Sequence, residues 1–209
     1  MSKAVSFDCF GTLVSVPRPE DPAAAVGDAL RERGVALPED WQTAYLEAHV
    51  DVPDGGELSL PVHARKALAS RGVVADETVV TEAVLAAFDR EVTPLPGAAE
   101  ALARIDAPVG VLSNCSVPGM VTETLERAAL RDTVDTVETS VDCGWRKPDR
   151  RAFEAVAEPL GVEMAQLVHV GDNDEADGGI EALGGTYLPV DDDLTGLAER
   201  LADTGVAVR

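Results

Sequence analysis

Four short stretches of this sequence carry side chains that could do chemistry together. Asp8-Cys9-Phe10-Gly11-Thr12-Leu13 sets a carboxylate ahead of a glycine, which lets the chain turn away and presents the carboxylate outward beside backbone amides. Ser113-Asn114 supplies a hydroxyl and an amide without charge. Trp145-Arg146-Lys147-Pro148-Asp149 brings cations, and Gly171-Asp172-Asn173-Asp174-Glu175-Ala176-Asp177 brings carboxylates. Taken singly, each has an ordinary explanation: a helix cap, a turn, a solvated acidic loop. Each, however, follows a short apolar run that reads as a buried strand. On parallel strands such loops converge at one edge of the sheet. Several carboxylates gathered there with a lysine point to a metal or anion site.

The elements needed to position those loops are legible. Apolar, partly β-branched runs recur at 4–7, 108–112, 134–139, 167–171 and 186–190, with helical stretches at 96–105, 118–130, 149–161 and 175–185 between them. Alternation of this kind predicts a parallel sheet covered on both faces. Residues 15–92 break the rhythm. They hold helical patterns at 22–34, 38–50, 60–72 and 76–92, separated by Pro/Gly-rich joints at 17–22, 53–56 and 94–97. The expected organisation is a discontinuous α/β core, 1–14 and 93–209, interrupted by a helical insert at 15–92. A last helix is expected at 194–203, with Asp191, Asp192 and Asp193 capping its start.

Composition narrows the function classes. The 209 residues include 17 Lys+Arg against 38 Asp+Glu, for a formal charge of −21, yet 45% are hydrophobic, enough for a core. A field this negative repels phosphate backbones, so nucleic-acid binding is not expected. The apolar runs are far shorter than the ~20 residues of a membrane-spanning helix, and the start does not read as a signal peptide. Only Lys3, Lys66 and Lys147 are lysines, and the other 14 basic residues are arginines. Acidic excess with so little Lys is expected of a cytoplasm at high salt. Cys9, Cys115 and Cys143 cannot close a disulfide set and match no zinc spacing, which fits a reduced, cytoplasmic protein.

The ordered set DCFGTL, VGVLSN, RKPD and VGDNDEAD resembles the haloacid-dehalogenase-like (HAD) hydrolases over essentially the whole chain. The resemblance implies a Rossmann-like parallel sheet core with a helical cap domain, the stretch at 15–92 standing where that superfamily places its cap. It implies Asp8 as a nucleophile that forms a covalent aspartyl intermediate. Thr12 and Ser113 would hold the substrate's anionic group with amides of the 8–12 loop, and Phe10, Gly11 and Asn114 would line the substrate. Lys147 would keep Asp8 ionised and oriented. Asp8, Asp172 and Asp177 would hold Mg²⁺. The expected partner is a small-molecule substrate, and the expected assembly a monomer or homodimer.

Two features pull apart. Phosphatases of the superfamily carry a second Asp two residues after the nucleophile, to protonate the leaving oxygen. Here that position is Phe10, and loss of a general acid forfeits about 10²–10⁴-fold in rate. The 2-haloacid dehalogenases place an aromatic residue there, because a halide needs no proton. Yet they use no metal and replace the Gly-Asp pair with serines, whereas Gly171-Asp172 and Asp177 are present here. The Arg that dehalogenases draw from an early cap helix aligns with Gln42, which brings no charge. Three readings follow: a Mg²⁺-dependent hydrolase of a small phosphorylated metabolite, a 2-haloacid dehalogenase, or a HAD-like binding or regulatory protein. Glu47, His49 and His63 are candidates for an acid supplied by the insert. His169 reads as structural, Trp145 as packing or pocket-lining, and Arg146 as a second cation or an ion pair with Asp149.

Overall fold

The computed structural model describes residues 2–209. The apolar runs form strands β1 (Ala4–Phe7), β4 (Val109–Ser113), β5 (Thr136–Thr139), β6 (Leu167–Gly171) and β7 (Thr186–Pro189), while β2 (Val14–Ser15) and β3 (Thr93–Pro94) make a separate two-stranded antiparallel ribbon. The five-stranded sheet has the order β5-β4-β1-β6-β7 and every pairing in it is parallel. Helices α1 (Pro22–Glu32), α2 (Trp41–Leu46), α3 (Leu60–Ser70) and α4 (Glu77–Phe88) precede β3. They are followed by α5 (Ala98–Arg104), α6 (Met120–Arg127), α7 (Ser140–Cys143), α8 (Arg150–Ala157) and α9 (Leu197–Asp203). Among the described residues no helix is long and apolar enough to cross a membrane.

Backbone contacts divide the chain into two compact units, Pro17–Glu91 and the remainder, which joins the segment ending at Val16 to Val92–Arg209. In the helical unit, α1 is stopped at its start by Asp21, whose side chain accepts from the Ala24 amide, with Pro22 in the first turn. Its apolar face, including Val26 and Leu30, is buried, and so are Leu68 of α3 and Val80 and Val84 of α4. The helix expected over 38–50 is only six residues long. Rings from His49 and His63 explain the early stop. Their Nε2 atoms lie 2.6 Å from the Ala44 and Tyr45 carbonyl oxygens, which the next turn's amides would otherwise bond.

Register in the larger unit decides which residues share a face. Ser6 stands opposite Gly110 on β4 and His169 on β6, so all three point to one side with Ala4, Leu112 and Leu167. That side packs against Ala152, Phe153, Val156 and Leu160 in and after α8. Gly110 is what lets α8 approach. A Cβ there would lie 2.8 Å from Val156 Cγ2 and 3.0 Å from Thr136 Cγ2.

Two expected helix starts are corrected. Over 175–185 the chain forms a 3₁₀ helix, Asp177–Leu183, in place of an α-helix. Its Gly178-Gly179 pair is a poor α former, and Gly179 sits so close to Pro148 that any side chain would collide. The last helix begins at Leu197 behind Gly196, not at 194, and the Asp193 carboxylate accepts from the Thr195 amide in the turn before it. The acidic run therefore shapes a turn and does not cap the helix.

Filling the space at Gly110 tests this packing. Gly110→Val is expected to lower stability by roughly 1–3 kcal/mol through overpacking, read as a lower urea midpoint at unchanged slope.

Candidate active site

Asp8 lies just past β1, its amide donating 2.8 Å to the Val170 carbonyl so that the carboxylate is held between β4 and β6. The chain then turns back tightly: Leu13 and Val14 both donate to the Cys9 carbonyl, and Gly11 donates to Val14. Gly11 takes φ +87° and sits against Asp172, where any side chain would collide with the carboxylate. This one position needs glycine for conformation and for close approach alike. The amides of Asp8 and Gly11 are spent on the fold, so they do not serve the anion-holding role implied for the loop.

Lys147 is buried, its side chain 1% exposed. Its Nζ donates to Asp8 Oδ1 at 3.0 Å and to the Leu112 carbonyl at 2.7 Å, and it forms an ion pair with Asp177 Oδ1 at 2.6 Å. Asn114 fixes the lysine from behind. Its Oδ1 accepts from the Lys147 amide at 2.8 Å and its Nδ2 donates to the Lys147 carbonyl at 3.0 Å. Expected among the substrate-lining residues, Asn114 thus spends its amide on clamping the lysine's backbone. Ser113 ends β4 and is buried, while Phe10 is half-buried in a bridge with Val14.

The three carboxylates expected to gather do so. Asp8, Asp172 and Asp177 each bring an oxygen within 4.8 Å of the others. They are not equivalent. Asp172 is exposed and accepts from the Thr12 hydroxyl at 3.0 Å. Partial burial raises its pKa, Thr12 opposes this, and the neighbouring charge of Asp8 adds to the rise. Asp177 is buried, and both its oxygens are engaged: Oδ1 by Lys147 and His169, Oδ2 by the Asn173 amide at 3.0 Å. Burial pushes the Asp177 carboxyl up, but the His169 hydrogen bond and the Lys147 charge outweigh it and hold it well below the usual carboxylate range.

The acidic loop is braced by Asn173, whose Oδ1 accepts from the Glu175 and Ala176 amides at 3.0 Å each. Tyr187 on β7 adds a hydroxyl 3.2 Å from the Gly171 carbonyl and 3.1 Å from Asp174 Oδ1. Neither Tyr187 nor the clamp by Asn114 was foreseeable, because each is a contact across distant stretches of chain. His169 left one trace, a polar residue on an otherwise apolar strand. Arg146 does not pair with Asp149; Arg151 does, through two bonds of 2.8 Å, while its guanidinium stacks 3.0 Å above the Trp145 ring. In the helical unit Glu47 is paired with Arg71, and Gln42 donates to Asp21 at 2.7 Å.

Comparison with known proteins adds five findings. Residues 2–182 match the model of a hydrolase family described as haloacid dehalogenase-like. The chain is 33% identical over 192 residues to the (S)-2-haloacid dehalogenase of Xanthobacter autotrophicus, covering 88% of this chain and 73% of that protein. It is 31% identical over 150 residues to the pyrimidine 5'-nucleotidase YjjG of Escherichia coli (strain K12), covering 69% of this chain and 66% of that protein, just short of two thirds. Among solved structures, the L-2-haloacid dehalogenase from Xanthobacter autotrophicus aligns with TM-score 0.59 at 30% identity, over 91% of this chain and 78% of that one. A HAD phosphatase from Thermococcus onnurineus aligns with TM-score 0.60 over 96% and 98%, and at 20% identity it shows the shared fold alone.

The buried Asp177–Lys147 pair has a pH signature. A carboxyl whose pKa is depressed by folding stabilises the native state above the unfolded value of about 3.9, and that contribution is lost as pH falls toward the folded value. Asp177→Asn is expected to lower stability at pH 7 by about 3–5 kcal/mol, the cost of leaving Lys147 short of a partner. It also removes part of the acid-induced loss below about pH 4. Urea unfolding of both proteins between pH 3 and 7 measures the two effects together.

Proposed function

The chain belongs to the haloacid dehalogenase-like hydrolases, and from that premise we propose that it hydrolyses a small phosphorylated metabolite with Asp8 as nucleophile and Mg²⁺ as cofactor. The observation that carries this reading is Asp172: an exposed carboxylate, tethered by Thr12, within reach of Asp8. Two such groups beside a phosphate repel one another unless a cation lies among them. Their oxygens are the hard donors Mg²⁺ takes, so Asp8 and Asp172 would hold it, with water completing its shell. Asp177 completes the acidic group at one remove, through Lys147. When bound, the cation supplies charge neutralisation at the phosphoryl oxygens.

The chain's own residues do the rest. Lys147, its Nζ 3.0 Å from Asp8 Oδ1, holds that carboxylate in place, so that one of its oxygens attacks phosphorus while the bond to the leaving oxygen breaks. Water then hydrolyses the aspartyl phosphate, returning Asp8 and releasing phosphate. Ser113 supplies its hydroxyl to the phosphoryl group, Thr12 gives its one hydroxyl hydrogen to Asp172, and Phe10, Gly11 and Asn114 shape the loops around it. Phe10 cannot give the leaving oxygen a proton, which selects leaving groups of low pKa such as aryl or acyl phosphates. The unit Pro17–Glu91 serves as the cap that sets substrate choice.

Phe10 also favours a second reading, 2-haloacid dehalogenation, in which Asp8 displaces a halide that needs no proton. A relative of that name aligns over most of the chain. One paired assay separates the two. Phosphate release from an aryl phosphate is expected to require Mg²⁺ and to fall by more than about 10³-fold in Asp8→Asn. Halide release from a 2-haloacid that is insensitive to chelator overturns the phosphatase and establishes the second reading. Under the main reading, Phe10→Asp raises turnover of alkyl phosphates by roughly 10²-fold, a gain seen in steady-state rates.

A further inference from the structure

His169 is a fully buried titratable side chain that the mechanism above leaves unused. It lies on β6 in the midst of an apolar strand, its ring edge-on to Phe153 with centroids 5.3 Å apart. Nδ1 is 2.8 Å from Ser6 Oγ, and Nε2 is 3.0 Å from Asp177 Oδ1 and 3.4 Å from Lys147 Nζ. Lys147 Nζ donates to Asp8 and Leu112 and pairs with Asp177 Oδ1 at 2.6 Å, all at shorter range than its 3.4 Å contact with His169. Nε2 lies 3.0 Å from a carboxylate oxygen, so it must carry a hydrogen and donate it to Asp177, because a bare nitrogen would face the carboxylate lone pair to lone pair. Nδ1 is then the acceptor and the Ser6 hydroxyl the donor. Burial and the adjacent Lys147 charge both favour the neutral ring.

From this geometry we infer that His169, as the neutral Nε2–H tautomer, is a positioning residue for Lys147. Its N–H occupies Asp177 Oδ1, so that the carboxylate binds the ammonium without drawing it away from Asp8. Asp177 and Asp8 compete for one cation. A carboxylate relieved of part of its charge by an imidazole donor is the weaker competitor. Ser6 fixes the ring from its other side, as an outer partner fixes the tautomer of a metal-bound histidine.

The role of His169 rests on Asp8 acting as nucleophile, and the tests keep the two apart. His169→Gln carries an N–H out to the place of Nε2, His169→Asn reaches only as far as Nδ1, and His169→Leu carries none. In the Mg²⁺-dependent aryl phosphate assay, kcat of the Gln variant is expected within about threefold of the unaltered protein. The Asn and Leu variants fall by about 10–100-fold, with KM nearly constant. Thermal melts of all three accompany the rates, since a merely structural role would lower stability without ordering kcat by donor position. A Leu variant as fast as the unaltered protein, or a Gln variant as slow as Leu, overturns the inference.

Nitrogen-15 spectra of the resting protein need no substrate. They are expected to show His169 protonated at Nε2 and bare at Nδ1, and to show the Lys147 ammonium signal displaced in the Leu variant but not in the Gln variant. A ring protonated at Nδ1 alone, or a Lys147 signal unmoved by Leu, overturns the inference. If neither aryl phosphate nor 2-haloacid is turned over, the proposed function fails while these spectra still decide the tautomer and the tie to Lys147.

Discussion

The structure depends on a single ammonium group kept out of water. Moving a charge from water into a protein interior costs several kcal/mol even after relaxation. Lys147 meets that cost with three oxygens at 2.6 to 3.0 Å, two accepting its hydrogen bonds and one held in an ion pair. Each oxygen comes from a different part of the sheet: Asp8 from beyond β1, Leu112 from β4, Asp177 from the loop after β6. The parallel pairing that sets these strands side by side is what makes the coordination possible. Displacing any one of them would leave a buried charge less well compensated, so the lysine ties three strand ends together.

Much of this was legible because the informative signals are local. Strands β1, β4 and β6 are short apolar runs whose functional loops start where the run meets a polar residue, whereas the Lys147 loop follows α7 after the more polar β5. Reading Asp8, Lys147, Asp172 and Asp177 as one group needed only the rule that loops after parallel strands share an edge. What escaped has a common cause. Asn114 reaches the Lys147 backbone across 33 positions, and Ser6 reaches His169 across 163. A bond between a side chain and a distant partner leaves no periodicity in the sequence. The same holds for α2, ended by two histidine rings. Asp193 misled for a different reason, since an acidic residue before a helix can serve a turn as readily as a cap.

Phe10 and Asp172 embody the tension between two chemistries. A leaving halide asks only for a nucleophile and a dry pocket, whereas a phosphate ester asks for charge neutralisation and usually a proton. The chain carries the first part of the second kit and lacks the other. Gly11 lies between them in the logic of the fold. Its missing side chain allows Asp172 to stand against the Asp8 loop, so the turn that presents Asp8 also admits the second carboxylate. The rest of the chain's acidity is spread over exposed helices and turns, where pairs such as Arg71 with Asp40 and Glu47 contribute little individually.

The two bonds of Asn114 have a mechanical meaning. Because its amide grips both the N–H and the C=O of Lys147, the end of β4 and the lysine loop behave as one rigid piece. Ser113, the residue before it, rides on that piece. A shift of the hydroxyl therefore carries the lysine loop with it. The loop beside Asp8 has no independent freedom to adjust, and accommodation of differently shaped substrates is left to parts of the chain outside this braced edge.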